Sequence, residues 1–250
     1  MLYIMSMTDR TIIFKKNQIG RDFCVGDLHG RYDLFMRGLK ELRFNPFTDR
    51  MFSVGDLINR GDKSFECLAL IAKPWFHSVI GNHELAMMSA IFPESVPNDL
   101  QHKVESFQRS WNRAGAWFYK SINSFDFVDD FIDLPYIIVV NTKKGRRNLV
   151  HAELKLNNYV SKDPFKVTDK DIDNGNICLD IAISGRNRIN KNVKNFNKQI
   201  KGLSPTIVGH TIVKKPRQIS NYFYIDTGSF SKSKLTFLNL TDLSIALMIQ

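Results

Sequence analysis

The stretch Phe23-Cys24-Val25-Gly26-Asp27-Leu28-His29-Gly30 decides the fold. Three apolar residues give a short strand, a glycine and an acidic residue turn the chain, and Leu34, Phe35, Leu39 and Leu42 then recur at helical spacing. The same unit returns twice. Met51 to Val54 leads into Gly55-Asp56 and the helical pattern Phe65, Leu68, Ala69, Ala72; Phe76 to Ile80 leads into Gly81-Asn82-His83-Glu84 and then Leu85, Met88, Ile91. Parallel strands joined by right-handed crossovers put their carboxyl ends on one edge of the sheet, where open α/β folds bind ligands. The three turns are therefore expected to line one crevice.

Residues 98 to 135 read as a helical, aromatic-rich cover packed over the sheet, with Phe107, Trp111, Trp117 and Phe118 in core-packing roles. From Tyr136 the character changes to β. Strands are expected at Tyr136 to Val140, Asn148 to His151, Thr206 to Val208 and Tyr222 to Ile225, with a hairpin from Leu235 to Met248 around Thr241-Asp242. Asn187 to Lys201 reads as an exposed helix or loop. No linker interrupts the pattern, and 250 residues with 43% apolar side chains suffice for one core, so residues 1 to 250 are expected to form a single domain.

Lys and Arg number 35 against 25 Asp and Glu, a formal charge of +10 that favours anionic ligands without choosing among them. The clusters Lys143 to Arg147, Lys191 to Lys201 and Lys214 to Arg217 are interleaved with Asn and Gly more than with aromatics. They read as solvated faces or turns, and nucleic-acid binding is not indicated beyond the net charge. Cys24, Cys67 and Cys178 form no CxxC pair, so buried free thiols in a reducing cytoplasm are expected. Neither a signal peptide nor the ~20-residue apolar run of a membrane helix is present, so no membrane partner is expected.

Asp27, His29, Asp56, Asn82, His151 and His210 each fall at an expected strand end beside a Gly or Ala. Any one of them alone would read as a turn residue. Three Gly-Asp or Gly-Asn turns at regular spacing, with four of the six histidines at such turns, read instead as ligands of divalent cations. Mixed oxygen and imidazole donors suit Mn, Fe or Zn better than Ca or Mg. A carboxylate such as Asp56 can bridge two ions, the arrangement for in-line phosphoryl chemistry. His83 is the candidate acid for the leaving oxygen, and Arg60 offers bidentate donors to a phosphate.

With GDLHG at 26–30, GDLINRG at 55–61 and GNHE at 81–84, followed by His151 and Gly209-His210, the chain resembles the calcineurin-like metallophosphoesterases. Within them it resembles the phosphoprotein phosphatases, and most of all the lambda-type serine/threonine phosphatases of phages and bacteria, a likeness that implies a phage or prophage origin. It extends through Gly115-Ala116-Trp117-Phe118 and Tyr224-Ile225-Asp226-Thr227-Gly228. The resemblance implies an α/β fold, the metallophosphatase αββα sandwich with a βαβαβ metal-binding core. It implies Asp27 and His29 on one metal, Asp56 bridging, and Asn82, His151 and His210 on the second. His83 would be the acid, and Arg60 and Arg186 would grip phosphate.

Two departures bear on substrate. Asn59 stands where the family motif has the Asp that supports the catalytic His, and Ile80 stands where its RGNHE has Arg. Symmetrical diadenosine tetraphosphate hydrolases are similar in being neutral at both positions. Asn59 is expected to orient His83 by accepting from its ring N–H. Glu153, after His151-Ala152, reads either as an acidic group near the metals or as a turn cap. The leading expectation is a phosphatase of phosphoserine or phosphothreonine proteins and small phosphate esters. The others are a nucleoside polyphosphate hydrolase and, in another class, a catalytically weak phosphate-binding module.

Overall fold

The computed structural model describes residues 4–5, 11–121, 128–157 and 163–250. The chain enters by β1 (Ile4–Met5) and β2 (Thr11–Phe14), and the first βα unit is β3 (Asp22–Val25) with α1 (Tyr32–Glu41). The second is β4 (Arg50–Ser53) with α2 (Ser64–Leu68) and a 3-10 turn, Ala69–Ala72; the third is β5 (Phe76–Ser78) with α3 (Asn82–Ile91). These strands pair in parallel, Asp22 opposite Arg50 and Met51 opposite Phe76, as the repeated unit requires. Register is fixed at the far end from the turns. There the buried Arg50 guanidinium donates from Nε and Nη2 to the two carboxylate oxygens of Asp22, both at 2.8 Å.

The aromatic segment forms α4 (Val104–Ala114), α5 (Ala116–Ser121) and α6 (Val128–Ile132); residues 122–127 of the expected cover lie outside the described ones. Then come the hairpin β6 (Ile137–Thr142) and β7 (Gly145–Val150), β8 (Thr206–Val208), β9 (Arg217–Ile219), β10 (Tyr222–Tyr224), and the hairpin β11 (Leu235–Asn239) and β12 (Ile245–Ile249). One sheet has the order β1-β2-β6-β7-β8-β10-β9 and the other β12-β11-β3-β4-β5.

Side-chain alternation stacks the two sheets face to face. Cys24, Phe52 and Leu238 from one sheet meet Phe14, Ile138, Val140, Leu149 and Ile207 from the other in a single buried cluster. Their neighbours Phe23, Val25, Met51, Ile137, Val139 and Val208 point outward into the larger cluster that includes the helices. The αββα sandwich follows, and inner strands such as β3 and β6, covered on both faces, carry almost unbroken apolar runs.

One sequence expectation changes, and another resolves to its loop alternative. Arg147 is buried, its guanidinium donating to the carbonyls of Leu240 and Thr241 and so tying β7 to the β11–β12 turn. Arg146 reaches Asp173 and Asn148, so the Lys143–Arg147 cluster is only partly solvated. Asn187 to Lys201 is a series of turns anchored by the buried Arg188, which donates to the Phe196 and Phe165 carbonyls. Glu153 resolves as the turn cap: its carboxylate accepts the backbone N–H groups of Asn187 and Arg188 at 2.7 and 2.8 Å. Cys24 and Cys67 are buried free thiols, and Cys178 is half-buried. Among the described residues no helix is long and apolar enough to cross a membrane.

Candidate active site

The turns that follow β3, β4 and β5 bring Asp27, His29, Asp56, Asn82 and His83 to one edge of the five-stranded sheet; the ends of β7 and β8 bring His151 and His210 from the other. The backbone there is unusual. His29, Asp56, Asn59, Arg60 and His210 all have φ between 45° and 72°, a region costly for side chains with a Cβ and concentrated at functional sites. Asn82 and His83 form the first turn of α3. Extended Gly81 caps the helix, and Glu84 accepts its N–H at 3.0 Å.

Asp56 is the hub. Its Oδ2 lies 3.6 Å from His29 Nε2, 3.5 Å from His151 Nε2 and 3.9 Å from His83 Nε2. Its Oδ1 accepts the backbone N–H of His83 at 3.0 Å. His29 Nδ1 donates to the Ile58 carbonyl at 3.1 Å and His151 Nδ1 to the Val54 carbonyl at 2.6 Å. A carbonyl can only accept, so each ring, when neutral, presents its Nε2 lone pair to the site. Burial works to lower the His151 pKa, but Asp56 and the Val54 carbonyl outweigh it and raise the pKa, and a bound cation would displace that proton. Both oxygens of Asp27 accept the His210 backbone N–H, at 3.2 and 3.1 Å, and its carboxylate is buried.

His83 is held differently. Trp117 Nε1 donates to Asn59 Oδ1 at 2.7 Å, and Asn59 Nδ2 faces His83 Nδ1 at 2.8 Å. An indole N–H can only donate, so the amide nitrogen must face the histidine, and His83 Nδ1 accepts. This reverses the expected direction of the Asn59–His83 bond. Arg60 Nη2 stands 3.4 Å from His83 Nε2, on an exposed side chain. A guanidinium can only donate, so its 3.4 Å approach competes with the 2.8 Å Asn59 bond for the ring's one lone pair; the shorter bond prevails, the proton lies on Nε2, and two donors converge on one spot, the arrangement an anion completes. Arg186, also exposed, donates to the His210 carbonyl at 3.4 Å, so of the two neighbouring arginines it is Arg186 that reaches the site. Ile80 is fully buried in the apolar core.

A family model described as calcineurin-like phosphoesterase matches residues 23–222. The chain belongs to this family. Serine/threonine-protein phosphatase 2 of Salmonella typhimurium is 31% identical over 222 residues, 86% of this chain and 91% of that protein. The Escherichia coli protein of the same name is 30% identical over the same spans. The symmetrical bis(5'-nucleosyl)-tetraphosphatase of Mannheimia succiniciproducens is 44% identical over 72 residues, 28% of this chain and 26% of that protein. A solved structure provisionally assigned as a diadenosine tetraphosphatase superposes with a TM-score of 0.62 at 19% identity, covering 96% of this chain and 97% of that one. That likeness is one of fold.

Calcineurin-like phosphoesterases use a dinuclear divalent centre, and the residues here fit one. His29, Asp56 and His83 form one group whose ligand atoms lie within 4.8 Å of one another; Asp56, His151 and His210 form a second, sharing Asp56. The His151 Nε2 lone pair faces Asn82 Oδ1 at 3.1 Å and His210 Nδ1 at 3.2 Å as well as Asp56. Acceptor atoms that converge in this way are what a cation satisfies. His83 can join the first group in geometry but not in chemistry, since its Nδ1 lone pair is engaged and Nε2 carries the proton. Asp27, which the sequence pairs with His29, has a carboxylate free of that objection.

The electrostatics agree with a polarised cluster. Burial works to raise the Asp56 pKa, but His151, His83 and His29 outweigh it and hold the carboxyl well below its usual range. Burial, with Asp226 and Asp56 nearby, pushes Asp27 well above its usual range. Burial lowers His29 to about 4, and burial together with His151 lowers His210 to about 3. Burial also lowers His83, opposed by Asp56 and reinforced by Arg60. A bound cation would relieve the carboxylate crowding that Asp27 now feels.

Sequence reasoning missed three supporting residues. Glu84 is fully buried, and its carboxylate accepts from the backbone N–H groups of Asp56, Leu57, Ile58 and Gly81 at 2.8 to 3.2 Å, locking two of the three turns together. Its place in GNHE was the available signal. Asp226, buried at the end of β10, accepts from Gly228 N–H at 2.8 Å, and burial pushes its carboxyl up to about 6. Trp117 had been assigned to packing alone.

Proposed function

We propose that the chain is a lambda-type serine/threonine phosphatase hydrolysing phosphate monoesters of proteins and small molecules, with residues 1 to 250 acting as one domain in the cytoplasm. The observation that supports this best is the trio of histidine Nε2 atoms within 3.9 Å of Asp56 Oδ2, two of them with tautomers fixed by carbonyls. Asp27 and His29 would hold one ion, Asp56 would serve both, and Asn82, His151 and His210 would hold the second. Bound ions supply Lewis acidity and an acidified water. Arg60 and Arg186 grip the phosphoryl oxygens, and His83 directs its Nε2–H to the leaving oxygen. The imidazole-carboxylate donor set favours Mn, with Fe or Zn as substitutes.

A second reading, hydrolysis of nucleoside polyphosphates, is favoured by the Asn59–His83 contact. With Asn59 donating to Nδ1, the imidazolium has no stabilising partner there, which suits leaving groups that need little protonation. The short but 44% identical match to the tetraphosphatase points the same way.

Turnover of nitrophenyl phosphate with Mn, its loss in excess chelator and its return on adding Mn test the hydrolase. Activity that survives chelation would overturn the two-ion site. Parallel assays on a phosphopeptide and a dinucleoside tetraphosphate separate the two readings, and preference for the latter would replace the first.

A further inference from the structure

The site's acid is set by a residue 34 positions away on a different element. Trp117 lies in the first turn of α5, just after Gly115, where a Cβ would stand 2.2 Å from the Trp111 ring. That close approach seats Trp117 edge-on to Trp111, with centroids 6.0 Å apart at 75°, and edge-on to Phe118 at 5.9 Å and 89°. The indole is therefore fixed in direction by an aromatic cluster, and its Nε1 meets Asn59 Oδ1 at 2.7 Å. Asn59 is fixed as well: it is buried, its φ is 68°, and its backbone N–H donates to Ser64 Oγ at 3.0 Å.

A primary amide is nearly symmetric in shape and asymmetric in hydrogen bonding. Without the indole, Asn59 could rotate to present Oδ1 to His83 Nδ1, and the ring would then carry its proton on Nδ1 and none on Nε2. With the indole in place, that rotation would set Nδ2–H against Nε1–H in a buried site, at the cost of two mispaired donors. We infer that Trp117 is a positioning residue whose indole N–H orients the Asn59 amide and thereby holds the His83 proton on Nε2, toward the leaving oxygen.

The kinetic consequence rests on the role proposed for His83; the tautomer itself does not. A carboxylate at position 59 has two acceptors and no orientation to choose, so the indole should matter with Asn59 and cease to matter with Asp.

The test uses the full chain labelled with nitrogen-15 at histidine and loaded with Zn, a diamagnetic probe ion. Imidazole nitrogen shifts of His83 are read in wild type, Trp117→Phe, Asn59→Asp and the double variant. Wild type should show the proton on Nε2 and Trp117→Phe a mixture or reversal. Asn59→Asp should place a proton on Nδ1 whether or not Trp117 is present. With an alkyl phosphate, whose leaving oxygen needs the proton, Trp117→Phe should lower kcat by about tenfold with KM within about twofold, and the double variant should match Asn59→Asp. A wild-type proton on Nδ1 would overturn the proposal without any variant, so a Trp117→Phe chain that fails to fold leaves it decidable. An unchanged tautomer in a folded Trp117→Phe chain would also overturn it. If the tautomers behave as stated while no phosphate ester is turned over, the fault lies with the proposed activity and not with the positioning role.

Discussion

Asn59 carries the sharpest consequence of a single side chain. Burial already lowers the His83 pKa, and an amide that donates to Nδ1 gives the imidazolium no support, so the ring is mostly neutral near pH 7. Asn59→Asp would add an accepting carboxylate and raise that pKa. Turnover of alkyl phosphates and phosphopeptides should then rise severalfold more than that of nitrophenyl phosphate, and activity should persist to higher pH; parallel changes for both ester classes would uncouple the two residues. In the proposed mechanism the exposed guanidinium beside His83 Nε2 donates to the phosphoryl group, so Arg60→Ala should lower kcat/KM by roughly a hundredfold. Steady-state kinetics on one aryl phosphate decide it. The residues of the turns were legible because Gly-Asp and Gly-Asn mark themselves locally. Trp117 was not, since its bond to Asn59 spans 58 positions, and an aromatic residue in a helical pattern reads as core.

Among the elements, the strand-end turns are packed against each other with no spare volume. A Cβ on Gly81 would lie 2.3 Å from Asp56 Oδ1 and 2.5 Å from Asp56 N, and one on Gly209 would lie 2.0 Å from Asp27 Oδ1. Gly81→Ala and Gly209→Ala should each reduce bound metal per chain below half while far-ultraviolet circular dichroism stays native, because the clash falls on a carboxylate and its turn and not on a strand. Full metal content in either variant would show that the turns can spread. Glu84→Gln should behave alike, since the amide replaces one acceptor oxygen with a donor facing backbone N–H groups. The βα units could be read from the sequence because strand, turn and helix follow one another at short range. β9 was missed: at three residues, with an exposed Arg217 and Gln218, it presents neither apolar alternation nor length. Arg147 was misplaced because a charged side chain in a turn-rich run reads as solvated, and only the fold supplies the Leu240 and Thr241 carbonyls that let it be buried.

For the whole molecule, the space between the sheets holds a titratable ring. His77 lies 4.5 Å from the Phe14 ring centroid and 5.3 Å from that of Phe52, and burial, with Arg50 nearby, lowers its pKa to about 3. The unfolded chain takes up that proton near the ordinary histidine value of ~6.5 and the folded chain does not, so stability should fall as pH drops from ~6.5 toward 3. Thermal melts across that range should show a shallower slope for His77→Phe than for wild type, whatever the change at neutral pH. A second consequence comes from how the proposed ligands are divided. Asp27, His29, Asp56 and Asn82 belong to one sheet, and His151 and His210 to the other. A pair of ions held among them would act as a clasp at one rim of the sandwich, joining two layers that otherwise meet mainly through apolar side chains and the Arg147 tie to the β11–β12 turn. Because such ions bind the closed rim and not the open one, each tenfold excess over Kd adds about 1.4 kcal/mol against its opening. Hydrogen exchange should then slow on metal addition at the carboxyl ends of β4, β7 and β8 together, although they lie in separate sheets, while the β11–β12 hairpin at the far margin keeps the same rate.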